Sequence, residues 1–416
     1  MTASYYTGSL ACVRCAAPYP DPSLPLVGRG CPACELDGAP SNVLPVYDVP
    51  RGAGLPLAGD QPGLFRHRAL LPLRPGTPAV SLGEGGTPLV PLERTAARLG
   101  LGGLHVKDET RNPTWSYKDR LASVAVTKAV ELGVEAVVVA STGNHGAAVA
   151  AYAARAGLPC VVLTVASVPE AMKTLMQVYG ARVVALEHAP DRWTLMRELV
   201  EKRGWLALSG HAAPPVGSIG FGVDGYKTIA YEIVSDLGAV PDVVVVPVSY
   251  ADGLAGIQRG FADLVTLGVA PHMPRMIAAE RFGPHAGALA AGTDTPGPVP
   301  ADATVAFSIG SPYGTYQGLA ALRASGGAAV PVGDDTRILD AQRRLGRESG
   351  LYLEASSVTA VLAVEELGLP EGSTVVVVGT STGLKDIGAT SATLPAVPVI
   401  EPTVAAMDSA LETAAR

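Results

Sequence analysis

Aromatic residues are scarce: Phe, Tyr and Trp together make up 5% of the 416 positions. Since 48% of the chain is nevertheless apolar, the core must be mostly Val, Ala and Leu, the material of layered α/β folds. Long apolar runs are missing too. No uninterrupted stretch of about eighteen apolar residues occurs, which argues against a membrane span. The N-terminus carries neither the charged nor the apolar segment of a signal peptide, so the chain reads as soluble and cytoplasmic. Positive charge is nowhere concentrated. The net charge is −7 with no basic block, which argues against a nucleic-acid partner. What remains is room for two or three domains around a sizeable core.

Cysteine is sparse and unevenly placed. Four of the five sit in Cys12-Val13-Arg14-Cys15 and Cys31-Pro32-Ala33-Cys34, a spacing that fits a four-thiolate zinc ribbon over residues 1–45. Four protein ligands would leave no open position, so such a zinc would be structural. A metal-free ribbon or a disulfide pair are the other readings of the same residues. Cys160, in an apolar stretch, reads as a small core residue.

Two short segments carry chemistry. Asn112-Pro113-Thr114-Trp115-Ser116-Tyr117-Lys118-Asp119-Arg120 places one lysine in a Pro/Thr/Ser turn just before a helix-like run to Leu132. Partial burial and the positive end of a helix both disfavour its ammonium and leave a nucleophilic amine. Such an amine is what forms a Schiff base with pyridoxal phosphate (PLP). Ser141-Thr142-Gly143-Asn144-His145-Gly146 follows a buried strand and opens an Ala-rich helix, a ready anion site for an amino acid's carboxylate. A solvated surface lysine and a turn that merely caps its helix are the bland alternatives.

Strand and helix patterns alternate beyond residue 75. Strands are expected at 104–107, 136–140, 159–163 and 182–186, with helices at 118–132, 144–157 and 169–179. A second series runs through 242–248, 275–279, 328–331 and 374–379. The pattern implies parallel sheets with right-handed crossovers and ligands at the strands' carboxyl ends. Residues 36–75, rich in Pro, Gly and Asp, read as largely irregular, and 46–75 as an extended linker. The expected organisation is a first α/β lobe within 76–240, its smaller part at roughly 120–205, and a second lobe over 241–416. The block 283–303 is expected to be a surface loop.

Taken together, the two segments resemble those of the fold-type II PLP enzymes, and the lysine motif is similar to that of threonine synthases, with Trp115 and Tyr117 where Gly and Phe are usual. Ser81-Leu-Gly-Glu-Gly-Gly-Thr-Pro-Leu89, Glu354-Ala-Ser-Ser357 and Thr380-Ser-Thr-Gly-Leu-Lys-Asp386 resemble further family motifs in the expected order, covering residues 75 to 390. The resemblance implies a two-lobed α/β enzyme with parallel sheets flanked by helices, a lyase whose Schiff-base lysine is Lys118. Asn144 would meet the cofactor's phenolic oxygen and Thr380 its pyridine nitrogen. Ser141 and Thr142 would hold the substrate carboxylate. Ser249-Tyr250-Ala251-Asp252-Gly253 would cradle the cofactor phosphate, with Asp252 turned outward as a helix cap. A homodimer acting on a small amino acid is expected by analogy.

The chain also departs from the pattern. Only Gly253 remains of the usual glycine cradle. No arginine lies between Gly204 and Lys227, where the resemblance implies one for a substrate phosphate, leaving Lys227 as a partial substitute. Trp115 is expected to fill pocket volume beside the lysine, or to pack between the lobes. His145 resembles the turn of dehydratases, racemases and diaminopropionate ammonia-lyase. Three functions follow: conversion of O-phosphohomoserine to threonine and phosphate, a dehydratase or ammonia-lyase of diverged specificity, or a binding protein without catalysis.

Overall fold

The structure is a computed structural model and describes residues 4–59, 61 and 63–414. The strands, in chain order, are β1 (Tyr6–Cys12), β2 (Pro18–Tyr19), β3 (Val43–Tyr47), β4 (Leu89–Pro91), β5 (Gly103–Asp108), β6 (Val137–Ala140) and β7 (Cys160–Val165). They continue as β8 (Arg182–Leu186), β9 (Leu206–Ala207), β10 (Val243–Pro247), β11 (Arg275–Glu280), β12 (Ala328–Pro331) and β13 (Thr374–Gly379). Three sheets result: β2-β1-β3, β12-β11-β10-β13-β5-β4 and β8-β7-β6-β9. The four-stranded sheet is parallel throughout. The six-stranded sheet is parallel except at its edge, where β4 runs antiparallel to β5.

The Val-rich runs explain the centre of the large sheet. Val243 to Val246 of β10 and Val375 to Val378 of β13 are each no more than 3% exposed. Unbroken β-branched runs without alternation belong to strands covered on both faces. The helices Lys118–Leu132, Asn144–Ala156 and Glu170–Val178 fall where the sequence period puts them. Two of them stop at a left-handed glycine, Gly133 at φ +67° and Gly157 at φ +69°, a conformation that ends a helix at little cost only for glycine. The first strand of the series, β5, pairs with β13 in the large sheet, so the lysine-bearing turn leaves the large sheet and enters the smaller lobe.

Two irregular stretches are more structured than composition implied. Within the expected linker, Gly63–Leu70 forms a 3-10 segment, and Leu64, Phe65 and Leu71 are fully buried together with Val124 of helix Lys118–Leu132. Proline and glycine interrupt hydrogen-bonding periodicity without preventing burial, so composition alone misses such packing. Within 283–303 lies the helix Pro284–Ala291, whose His285 is fully buried with Nδ1 2.6 Å from Glu280. The N-terminal sheet is fastened to the body through Asn42, which donates to the Ser218 carbonyl at 2.9 Å and to Gln317 Oε1 at 3.1 Å. No helix among the described residues is long and apolar enough to cross a membrane.

Candidate active site

The carboxyl ends of β6, β10 and β13 open into one cavity of about 590 Å³. Ser141 follows β6, Val248 and Ser249 follow β10, and Thr380 follows β13; all of them line it. This is where open parallel sheets place ligands.

Lys118 reaches the cavity as the first residue of helix Lys118–Leu132. Its turn is pinned from three sides. The Tyr117 N–H donates to the Thr380 carbonyl at 2.9 Å. Thr114 donates to the Asp119 carboxylate through its N–H at 3.0 Å and its hydroxyl at 2.9 Å. Arg120, fully buried, pairs with Glu109 at 2.7 Å and Glu232 at 2.7 Å. The Asp-Arg pair after the lysine is therefore architectural: it fixes the helix start. The Lys118 amine lies 5.1 Å from the Tyr117 ring centroid and 5.8 Å from that of Tyr226. Burial lowers its pKa, with the Asp252 carboxylate acting in the opposite sense. Removal from water wins, so the neutral amine is more accessible than on an ordinary lysine.

At the second turn the serine has a structural task. Ser141 Oγ accepts from the Gly146 N–H at 2.8 Å and from Gly143 at 3.2 Å, capping the helix Asn144–Ala156. Thr142 lines the cavity beside it. Asn144 is held on both sides. Its Nδ2 donates to Glu354 at 2.8 Å, and its Oδ1 accepts from Lys385 at 2.6 Å and from Ser381 at 3.3 Å. Its orientation is thereby fixed. His145 also lines the cavity, and its buried Nε2 has no hydrogen-bond partner among the described residues. Burial and the nearby Lys118 charge push its pKa well below the usual imidazole value, so the ring is neutral.

The segment Ser249–Gly253 lines the cavity and leads into helix Asp252–Thr266. The first N–H groups of that helix have no acceptor within it and form the positive end of its dipole, which suits a phosphate. Ala251 adopts φ +58° to make the turn. Asp252 does not point outward as a cap. It is 6% exposed and accepts from the Ser218 N–H at 2.8 Å, the Ser218 hydroxyl at 2.7 Å and Gln317 at 2.7 Å. Gly217, at φ +113°, permits this: a Cβ there would lie 2.2 Å from Gln317 Nε2 and 2.6 Å from Asp252 Oδ1. With three donors on it, the carboxylate is compensated beside an anion site. Thr380, 7% exposed, shares a 2.7 Å hydrogen bond with Ser357.

Two expected contacts are not brought here. Trp115 is 46% exposed and outside the cavity lining. At φ +59° it makes a left-handed kink whose carbonyl accepts from Ser381 at 3.2 Å and Thr382 at 3.3 Å, so the position serves the backbone rather than the pocket. Lys227 is fully buried elsewhere, 2.6 Å from Asp263, 3.0 Å from the Leu70 carbonyl and 3.7 Å from the Tyr47 ring centroid. Two of its three N–H groups are taken by Asp263 and the Leu70 carbonyl, and the residue does not line the cavity. Conversely, sequence reasoning passed over Glu354, Lys385 and Arg192. The first two lie in motifs already singled out. Arg192 opens the helix Asp191–Arg203 that follows β8, a location typical of α/β ligand contacts but outside the segment where an arginine was sought.

The chain matches the model of the pyridoxal-phosphate dependent enzyme family over residues 80–381. It belongs to that family. It is 36% identical to the threonine synthase of Methanocaldococcus jannaschii over 78% of this chain and 81% of the relative. Against the threonine synthase of Methanosarcina acetivorans identity is 35%, over 91% of this chain and 92% of the relative. The fold is that of maize serine racemase, with a TM-score of 0.64 at 21% identity over 79% of this chain and 94% of that one. Family and relatives together make the chain a threonine synthase-like, PLP-dependent lyase of fold type II. The residues lining the cavity suit that cofactor: an amine held toward its neutral form, the N–H groups of a helix start, and a hydroxyl at the end of β13.

Away from this cavity, Cys12, Cys15, Cys31 and Cys34 hold their sulfurs within 4.8 Å of one another. Cys12 and Cys34 are 3.5 Å apart and Cys15 and Cys31 3.7 Å, too far for a disulfide at about 2.05 Å. Tetrahedral thiolates about 2.3 Å from a zinc would sit about 3.8 Å apart, so the donor set fits that ion.

Proposed function

We propose that the chain converts an amino acid bearing a γ-phosphate ester, O-phosphohomoserine, to threonine and inorganic phosphate. What carries the reading is one arrangement: Lys118, Asn144 and Thr380 at the ends of three elements around one cavity, in a chain whose relatives are threonine synthases. Lys118 would hold the cofactor through its amine, and Asn144, oriented by Glu354 and Lys385, would meet the cofactor's phenolic oxygen. The N–H groups of the Tyr250–Gly253 turn bind the cofactor phosphate. When bound, PLP withdraws electrons from the substrate's Cα.

The remaining steps belong to protein groups. Thr142 and the backbone N–H groups of its turn receive the substrate carboxylate. The Lys118 amine, once not bonded to the cofactor, would be the general base that accepts the Cα proton. A Cβ proton is removed next, and its electron pair forms the Cβ–Cγ double bond as the Cγ–O bond breaks and phosphate leaves. The two protons taken from carbon return to Cγ and Cα, while water adds its hydroxyl at Cβ and gives its proton to the phosphate. His145, neutral, donates or accepts one hydrogen bond at Nε2 without adding charge. The cysteine cluster is assigned a structural zinc.

His145 supports a second reading, a dehydratase or ammonia-lyase releasing ammonia and a 2-oxo acid. One experiment separates them. PLP-loaded enzyme given O-phosphohomoserine should release phosphate and threonine in equal amounts. Absence of phosphate, with 2-oxo acid formed from serine, threonine or diaminopropionate, would establish the second reading instead.

A further inference from the structure

Arg120, fully buried, has Glu109 and Glu232 as carboxylate partners, and the half-buried Arg259 has Asp224. Arg192 and Lys118 are the arginine and lysine side chains that line the cavity. Arg192 enters from the first turn of helix Asp191–Arg203, half-buried, and its Nε donates to the Ala189 carbonyl at 2.9 Å. Its two terminal amino groups have no acceptor, and no carboxylate pairs with it, among the described residues. Burial lowers its pKa, and the ionisable group acting on it is the Tyr250 hydroxyl, which borders the cofactor turn. Tyr313 also lines the cavity with a hydroxyl, and Ser311, whose hydroxyl donates to the Tyr313 carbonyl at 3.0 Å, lies there too. A half-buried guanidinium whose four terminal N–H donors meet no protein acceptor is suited to receive an anion.

The segment that would carry an arginine in the threonine synthase pattern lines the cavity with small groups instead: Ser209, Gly210, Ala213, Pro215 and Gly217. None of these can neutralise a dianion. Lys227 cannot replace them, since it is bound to Asp263 outside the cavity.

We propose that Arg192 is the anion anchor of the active site, receiving the phosphate ester at the substrate's far end, with Tyr250 and Tyr313 as neutral donors. This rests on the function proposed above. The geometry also orients the substrate: its amino end faces Lys118 and its phosphate faces the helix Asp191–Arg203. A planar guanidinium grips two phosphate oxygens at once and draws charge from the breaking Cγ–O bond.

The test uses PLP-loaded enzyme, so that the cofactor's own phosphate site is filled. Inorganic phosphate is titrated calorimetrically into the wild type, Arg192→Met and Arg192→Lys, and KM and kcat for O-phosphohomoserine are measured on each. Loss of a charge-assisted bidentate contact predicts phosphate affinity about tenfold to a hundredfold weaker in Arg192→Met. KM should rise by a similar factor, beyond any loss with L-threonine, and Arg192→Lys should fall between. Undetectable phosphate binding by the wild type, or equal binding and KM in all three, would overturn the assignment. Arg192-dependent phosphate binding without turnover of O-phosphohomoserine would leave the anchor standing and defeat the proposed reaction. Should Arg192→Met not fold, Arg192→Lys and Arg192→Gln carry the same comparison.

Discussion

Asn144 and Lys385 share a 2.6 Å hydrogen bond that ties the start of helix Asn144–Ala156 to the turn after β13. The ammonium also donates to the Thr114 carbonyl, in the turn that presents Lys118. Three segments of the active site thus meet on one amine. Burial lowers its pKa to about 8, while Glu354 and Asp119 oppose that shift. Lys385→Met should destabilise the protein by about 2–3 kcal/mol, the loss expected for two charge-assisted bonds in a buried place. PLP affinity should fall with it, because Asn144 loses its orientation. Denaturant unfolding and a spectroscopic PLP titration measure both.

Asp119 makes stability depend on pH. Burial raises its pKa to about 7, against the Thr114 hydrogen bonds and Lys385, which lower it. An unfolded aspartate titrates at about 3.9. Below that value both states are protonated and the contribution is fully present. As pH rises toward 7 the unfolded chain loses the proton first, so stability declines across that interval. Asp119→Asn should flatten the stability profile between about pH 4 and pH 7. An unchanged slope would remove Asp119 as its source.

Trp115 supplies a backbone conformation. Left-handed φ costs a non-glycine residue about 1–2 kcal/mol, and the indole is half exposed outside the cavity. Trp115→Gly should relieve that strain, offset in part by the greater freedom of glycine in the unfolded chain. The expected change in stability is within about 1 kcal/mol, with KM little altered. A large rise in KM would return the indole to the substrate pocket.

The cysteine cluster predicts one zinc per chain. Cys12→Ala should abolish that stoichiometry by elemental analysis and lower the melting temperature, since structural zinc sites contribute folding energy directly. Visible absorption of bound PLP should persist, because none of the four cysteines lines the cavity. Any effect on PLP should pass along Asn42, Gln317 and Asp252, the hydrogen-bonded route between ribbon and phosphate turn.

Much of this was legible in the sequence because it is local. The Val runs of β10 and β13, the helix after Lys118 and the turn after β6 all follow from neighbours in the chain. So does the grouping of four cysteines. What the sequence hid depends on contacts between distant segments. Asp252 turns inward because Gly217, thirty-five positions away, lets Ser218 and Gln317 reach it. Lys227 leaves the site because Asp263 and the Leu70 carbonyl claim its amine. Arg192 enters it because a helix on the smaller lobe begins at the cavity's edge. A charged side chain's partner cannot be read from its own surroundings in sequence.

Lys118 is proposed as the residue that binds PLP. PLP-loaded protein is reduced with borohydride, digested and mapped by mass spectrometry. The account predicts a single pyridoxyl-modified peptide containing Lys118, with no modification in Lys118→Ala. Modification at Lys385 or Lys227, or at no lysine, would contradict it.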